Sequence, residues 1–342
     1  MIKQKIKAFA EKYPAIGICY VACREKYHQV RKLGYFMTDF AATYRDMSWA
    51  SSRPVTYWSL SAQLLFQYHK LEKGLCMPGK RRFFGYDPAK ATLALLQQWN
   101  AMGFSQQDGL YLGAVATLHA YQRRLEELQP ANVEALKQAL QQFLRANAED
   151  QRYATPYDNT ELEDVARFDQ FKRLTLARRS VRDYLDVEIP RDVLSSAIAL
   201  AQLSPSACNR QPCRVHVYTQ KQEIEQLLAL QNGNRGFGQT ISTLLVITAE
   251  ATGFFDASER NEPYIDGGLF SMSLVLALKA QGISSCCLNW CVSPAEDKAA
   301  HALGKIASSE RIIMFMAAGY ASDTAMVPRS PRRDLETVMQ FH

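Results

Sequence analysis

The chain has 342 residues, 47% of them hydrophobic and 22% charged, with 17 Gly and 13 Pro. That composition excludes collagen-like, low-complexity and disordered classes, and the length suits two globular domains of roughly 100–200 residues each. The net charge of +6 is uneven: residues 1–90 carry 16 Lys and Arg against 6 Asp and Glu, residues 91–165 carry 5 against 10, and the remainder is close to neutral. A basic first quarter fits an anionic partner such as a membrane surface, a phosphorylated sugar or an acidic glycan; it fits equally a solvated face packed against the acidic segment that follows.

In chain order, the first dozen residues read as a basic amphipathic helix. Ile2, Ile6, Phe9 and Tyr13 form one stripe, with Lys3, Lys5, Lys7 and Lys12 around it. Such a helix lies on an anionic bilayer or, more commonly, on the protein's own core. No stretch reaches the roughly 18–20 uncharged apolar residues of a membrane span, and no apolar leader with a cleavage site opens the chain, so a cytoplasmic location is expected. Helical periodicity continues to about residue 150, through Leu93, Leu96 and Trp99 and then Leu110, Ala114 and Leu118. Asp87-Pro88 reads as a cap followed by proline at the first helical position, and Pro130 precedes a further helix.

Near QRYATPYDNTELEDVARF the pattern loosens, which places a domain boundary near residue 165. Residues 1–165 then form a helical N-terminal domain and residues 166–342 a second one. In the second, a helix over 192–203 leads into strands over 214–219, 243–249, 283–290 and 311–318, alternating with helices over 221–231, 264–281 and 294–303. The expectation is a helix-covered sheet.

Eight cysteines (Cys19, Cys23, Cys76, Cys208, Cys213, Cys286, Cys287 and Cys291) lack the spacing of a disulfide framework or a zinc site, and Cys286 and Cys287 would point to opposite faces of a strand. Reduced core thiols are expected. No GxGxxG opens a helix after a strand, and no GxxxxGK[ST], GxSxG or HExxH occurs. The six histidines are scattered, which gives no support to a metal site or a His-centred triad.

Two cationic clusters stand out: Arg178-Arg179-Ser180-Val181-Arg182, and Arg329-Ser330-Pro331-Arg332-Arg333 near the C-terminus. Guanidinium forks give bidentate bonds to phosphate oxygens, and solvated arginine pairs are the ordinary alternative. The polar loop Ser204-Pro205-Ser206-Ala207-Cys208-Asn209-Arg210-Gln211-Pro212 joins a helix to a strand. Its Asn and Gln amides offer both donor and acceptor, as the edge of a flat heterocycle requires. A helix-terminating turn would use the same residues.

Taken in order, RRSVRDY, SPSACNRQP, YIDGGLFSMSLVLALKAQGISSCCLNW, FMAAGY and the basic tail resemble the FMN-dependent nitroreductase family over about residues 166–342. The resemblance implies an α+β fold with a mixed central sheet flanked by helices. It also implies a homodimer with FMN at the interface. By the same resemblance Arg178 and Ser180 hold the phosphate and ribityl chain, Arg182 lies near the pyrimidine ring, and Arg179 between them is a further cofactor-binding candidate. Pro205, Ser206, Asn209 and Gln211 belong to the loop that the second subunit lays along the isoalloxazine. Asn234 reads its edge, and Arg332, helped by Arg329, holds the phosphate. Where the family carries an acidic residue and glycine near flavin N5, this chain has Leu288-Asn289-Trp290, so Asn289 enters the candidate site with a reshaped pocket.

The N-terminal segment Tyr68-His69-Lys70-Leu71-Glu72-Lys73-Gly74-Leu75-Cys76-Met77-Pro78 resembles one found in nitroreductase-like proteins that accompany bacterial polysaccharide biosynthesis. His69 offers a proton donor and Lys70 and Lys73 anion ligands; a local His69–Glu72 pair one helical turn apart is the plainer reading. The expected activity is an NAD(P)H-driven, FMN-dependent ping-pong reduction of an organic acceptor that is nitro-bearing, quinone-like or sugar-linked. The alternative is a non-catalytic flavin-binding or accessory subunit of a polysaccharide-biosynthesis assembly. No nucleic-acid partner is expected.

Overall fold

The computed structural model describes residues 14–47, 55–77, 83–156, 168–328, 330, 332 and 334–342. The amphipathic segment expected over the first dozen residues, the boundary near 165 and Arg329 lie outside the described residues.

The N-terminal part is helical. Helix α1 spans Pro14–Asp46, α2 Tyr57–Cys76, α3 Tyr86–Ala101, α4 Gly109–Leu128 and α5 Glu134–Arg145. Helix α2 starts where Thr56 and Ser59 satisfy each other's backbone N–H, at 3.2 Å and 3.0 Å, in a capping box. Helix α3 begins at Tyr86, so Asp87 sits in the first turn and is not the cap. The cap position belongs to Gly85, whose φ of +77° suits a residue without Cβ. Helix α4 is capped by Asp108, which accepts from Leu110 N at 2.8 Å and from the Tyr57 hydroxyl at 2.9 Å, tying it to the start of α2. Helix α5 buries Leu136, Leu140 and Leu144 at four-residue spacing. These faces close over Leu64, Leu71, Leu96, Trp99, Tyr111, Leu118 and Tyr121 in one core.

The C-terminal part opens with α6, Phe168–Ala177, and α7, Arg191–Ala201, before strand β1, Cys213–Tyr218. Helix α8, Lys221–Leu228, precedes β2, Thr243–Glu250; helix α9, Glu262–Ala280, precedes β3, Ser284–Asn289; and helix α10, Pro294–Gly304, precedes β4, Glu310–Gly319. The elements expected from periodicity are all present, with ends moved by up to three residues. A last short helix, α11, spans Leu335–Val338.

The sheet order is β1-β2-β4-β3, and the four strands pair antiparallel throughout. Among the described residues the one parallel pairing is an isolated bridge from Ser180 to Ser285, on the side of β3 away from β4. Strand β2 is buried along its whole length, as a strand covered on both faces must be. One face packs on Phe237, Ile224 and Ala300, the other on α7 and α9. Helix α9 lies close because residue 267 is glycine: a Cβ there would stand 2.5 Å from Ile313 Cγ1. The fold is α+β, and no helix among the described residues is long and apolar enough to cross a membrane.

Candidate functional site

The segment after α6 builds a cationic edge. The helix closes with Arg178 N donating to Leu174 O at 2.9 Å, and the chain then runs extended beside β3, where Val181 N donates to Ser285 O at 3.2 Å. The Tyr184 hydroxyl donates to Val181 O at 2.6 Å and fixes that course. Arg179 Nη1 bonds back to Arg178 O at 3.1 Å, and the Arg182 guanidinium lies 6.0 Å from the Phe237 ring centre. Among the described residues none of these three arginines pairs with a carboxylate. Arg178 Nε and Thr175 Oγ1 are buried polar atoms with no hydrogen-bond partner among the described residues. A buried guanidinium nitrogen left unmatched at a partly open edge fits an incoming anion such as the FMN phosphate.

The same edge carries two of the expected amides. Asn289 is exposed at the end of β3, and buried Gln231 donates to its backbone O at 2.8 Å. Asn234 turns inward, its Nδ2 donating to Leu228 O and Gln231 O at 2.7 Å each, so that this donor is spent on its own loop. Arg332 is exposed on the tail with Nη1 donating to Ser330 O.

The polar loop stands elsewhere. It enters β1, the opposite edge strand, with Pro212 O accepting from Glu250 N at 2.9 Å. Cys208, Asn209 and Gln211 have φ of 52°, 54° and 50°, a left-handed conformation that costs each about 1 kcal/mol or more unless the surroundings enforce it. They do enforce it. Ala207 N donates to both oxygens of Asp266 at 3.2 Å, and Gln211 N donates to Ser206 Oγ at 3.0 Å. Arg210 donates to Ala207 O at 2.9 Å and Gly253 O at 3.1 Å, and meets Glu259 at 2.6 Å. The Asn209 side-chain amide makes no hydrogen bond among the described residues and stays available to a ligand. Pro205, Ser206 and Gln211, together with Asp266 and Phe270, line a small cavity of about 30 Å³. Burial pushes the Asp266 carboxyl up to about 6.

The RRSVR segment and the polar loop therefore stand at diagonally opposite corners of the sheet, with Asn289 further along the β3 edge, where it pairs with Met314. Ser285 pairs with Ala318 at the far end of β4, whereas Cys213 pairs with Ala249, which pairs with Arg311 at its start. Three strand spacings, roughly 14 Å, and about seven residues of strand, roughly 23 Å, separate the corners.

Helix α2 lies against the corner of the polar loop. Trp58 stacks on Arg214 with the guanidinium 5.3 Å from the ring centre, and Phe66 meets Phe255 edge-on at 5.4 Å. His69 Nδ1 bonds Glu72 Oε2 at 2.9 Å, which is the local pair. The expectation of core thiols is corrected for most cysteines: Cys286 is buried, Cys208 and Cys213 are half-buried, and Cys19, Cys23, Cys76, Cys287 and Cys291 are exposed. The alternation of an edge strand turns Cys287 outward, and the other exposed thiols sit on or beside solvent-facing turns of α1, α2 and the segment after β3. Arg210, Gln231 and Asp266 were not singled out by sequence, although Asp266, an acid inside the apolar stretch of α9 beyond its first turn, is a usable signal.

A model of the nitroreductase family matches residues 175–234. The chain is 37% identical over 68 residues to a 4-nitrobenzoate reductase of Pseudomonas putida, a stretch covering 19% of this chain and 30% of that protein. It is 26% identical over 217 residues to nitroreductase NfnB of Mycolicibacterium smegmatis, covering 50% of this chain and 92% of that one. Among solved structures, an FMN-dependent nitroreductase of Clostridium difficile R20291 aligns with a TM-score of 0.43 at 19% identity, over 49% of this chain and 98% of that one. A nitroreductase family protein of Streptococcus pneumoniae TIGR4 aligns with a TM-score of 0.43 at 19% identity, over 50% and 100%.

Proposed function

We propose that the chain is an FMN-dependent oxidoreductase that works as a homodimer, a reading supported by the nitroreductase family model that matches residues 175–234. The observation that carries the reading is the cationic edge with its unmatched Arg178 Nε, on a segment that also contains the Asn209 loop. One flavin cannot lie against both corners of one sheet. Two chains related by a two-fold axis each offer one corner to the other, which makes two equivalent sites.

In this reading Arg178, Arg179 and Ser180 hold the phosphate, with Arg332 and Arg329 of the tail as further ligands. Arg182 places positive charge near the pyrimidine ring, where negative charge gathers on reduction. Pro205, Ser206, Asn209 and Gln211 of the partner cover the ring, and their clamped, left-handed turn is set before the ligand arrives. Asn289 would line the near edge, and Asn234 braces the loop behind it. Bound FMN supplies hydride exchange, and the chain supplies position, charge and exclusion of water. A reduced nicotinamide binds first and leaves; an organic acceptor, nitro-bearing, quinone-like or sugar-linked, then takes the same place.

Absorbance of the purified protein before and after anaerobic NADH or NADPH tests this directly. Flavin bands that bleach support the oxidoreductase, and a colourless protein that ignores added FMN overturns it. A second reading, an accessory subunit, is favoured by α1, whose Val30, Leu33, Met37, Phe40 and Tyr44 are exposed at alternating three- and four-residue spacing and offer an apolar strip to a partner. Retained flavin that neither nicotinamide reduces would favour it.

A further inference from the structure

Helix α2 runs one stripe of side chains across the clamped loop. Four-residue steps carry Trp58 over Arg214, Ala62 under Gly253, where a Cβ would stand 3.5 Å away, and Phe66 against Phe255. Arg210, which locks the loop, lies 6.0 Å from the Phe66 ring centre. The next step along the stripe is Lys70, whose Nζ sits 3.7 Å over the Phe66 ring, a cation–π contact that holds it toward the loop. The stripe thus brings the Lys70 ammonium to the Phe66 ring that Arg210 of the turn also faces, with Lys73 one helical turn further along.

The electrostatics at that end are unbalanced. Among the described residues neither lysine pairs with a carboxylate, and Lys70 has only a 3.4 Å contact to Gln67 Oε1. The nearby acid, Glu72, is taken by His69. Burial lowers the Lys70 pKa, Cys208 opposes that shift, and Lys73 adds to it. Two cations held close, without a counter-ion, at the rim of a prepared site suit an anion that arrives with the ligand.

We propose that Lys70 and Lys73 form an anion subsite that receives a carboxylate or phosphate of the electron acceptor, a reading that rests on the flavin site proposed above. The helical N-terminal part thereby sets substrate class, while the redox chemistry stays with the C-terminal part.

The test uses the full-length FMN-loaded chain and three acceptors: 4-nitrobenzoate, 4-nitrophenyl phosphate and neutral 4-nitrotoluene. In the Lys70→Gln/Lys73→Gln double variant, KM for the preferred anion rises about tenfold while 4-nitrotoluene kinetics stay unchanged, and Arg at both positions restores the anion. Whichever anion responds identifies the headgroup. An unchanged anion-to-neutral ratio, with FMN still bound and 4-nitrotoluene still reduced, overturns the subsite. Calorimetric titration of 4-nitrobenzoate and of 4-nitrophenyl phosphate into the same proteins gives a readout apart from turnover. If wild type neither holds FMN nor reduces any acceptor, the flavin reading fails. Weaker binding by the double variant then still supports the anion site, and equal or absent binding overturns it. Should the double variant melt early, Lys73→Gln alone, on the exposed end of the stripe, serves in its place.

Discussion

The Arg210 guanidinium, completely buried, meets the Glu259 carboxylate at 2.6 Å and so holds the Asn209 turn against the body of the protein. Phe254 and Phe255 flank it, each with its ring centre 4.8 Å from the guanidinium carbon. Removing one partner of a buried pair leaves the other uncompensated, so Glu259→Gln should cost about 3 kcal/mol. Urea unfolding measures it. A loss below about 1 kcal/mol would mean that the backbone bonds alone set the turn.

Arg178→Ala should weaken FMN retention by about 1.5–3 kcal/mol, the range for hydrogen bonds to charged groups, which is roughly ten- to a hundredfold in Kd. Arg178→Lys should fall between, since an ammonium keeps the charge and loses the fork. Flavin fluorescence on dilution reads both, and unchanged affinity would remove Arg178 from the phosphate site.

Asp266 ties the same turn to α9, and burial raises its carboxyl from the ordinary 3.8 to about 6. A raised acid favours its protonated form in the fold, so its contribution is complete below about pH 4 and is lost as pH rises through about 6. The loss is on the order of 3 kcal/mol. Asp266→Asn keeps an acceptor for Ala207 N and escapes that penalty. The variant should match wild type near pH 4 and exceed it at pH 8, by denaturation midpoints at both pH values.

Glu310 has the opposite sign. It is buried at the start of β4, where it accepts from Arg214 at 2.8 Å, from His216 Nε2 at 2.7 Å and from Thr248. Burial alone would raise its carboxyl, and the hydrogen bonds from His216 and Thr248 outweigh that and hold it low. Its stabilisation is present above the ordinary Glu value of about 4.3 and is lost as pH falls through the lower folded one. Glu310→Gln should therefore cost about 3 kcal/mol at pH 7 and progressively less as the pH falls below the ordinary Glu value. A pH-independent difference would show that packing and not charge is at stake.

Much of the C-terminal part was legible from period alone, because β2 and α9 are apolar runs of the right lengths bounded by turn residues. The site was legible in its residue types and not in its arrangement. RRSVR and SPSACNRQP follow each other closely in sequence, and only the strand order sends them to opposite corners. Asn234 shows the limit on single residues: its amide suits a ligand edge, yet the nearest free carbonyls belong to its own loop and take the donor. Cysteine burial failed because it depends on which face of α1 or β3 meets a neighbour, a tertiary matter that identity does not encode. The α2 contacts join residues some 140 or more apart in the chain, beyond any local pattern.

The diagonal separation of the two corners has a genetic consequence. In the proposed dimer, a chain carrying Arg178→Ala spoils one corner and a chain carrying Asn209→Ala spoils the other, so each alone would make a dimer with two damaged sites. In a mixed pair both lesions fall in one site, and the other is assembled from two intact corners. Co-expression of the two defective chains should restore roughly a quarter of the wild-type flavin capacity, since about half of randomly formed pairs are mixed and each carries one sound site. Complementation of that kind cannot arise where all the contacts to a ligand come from one chain.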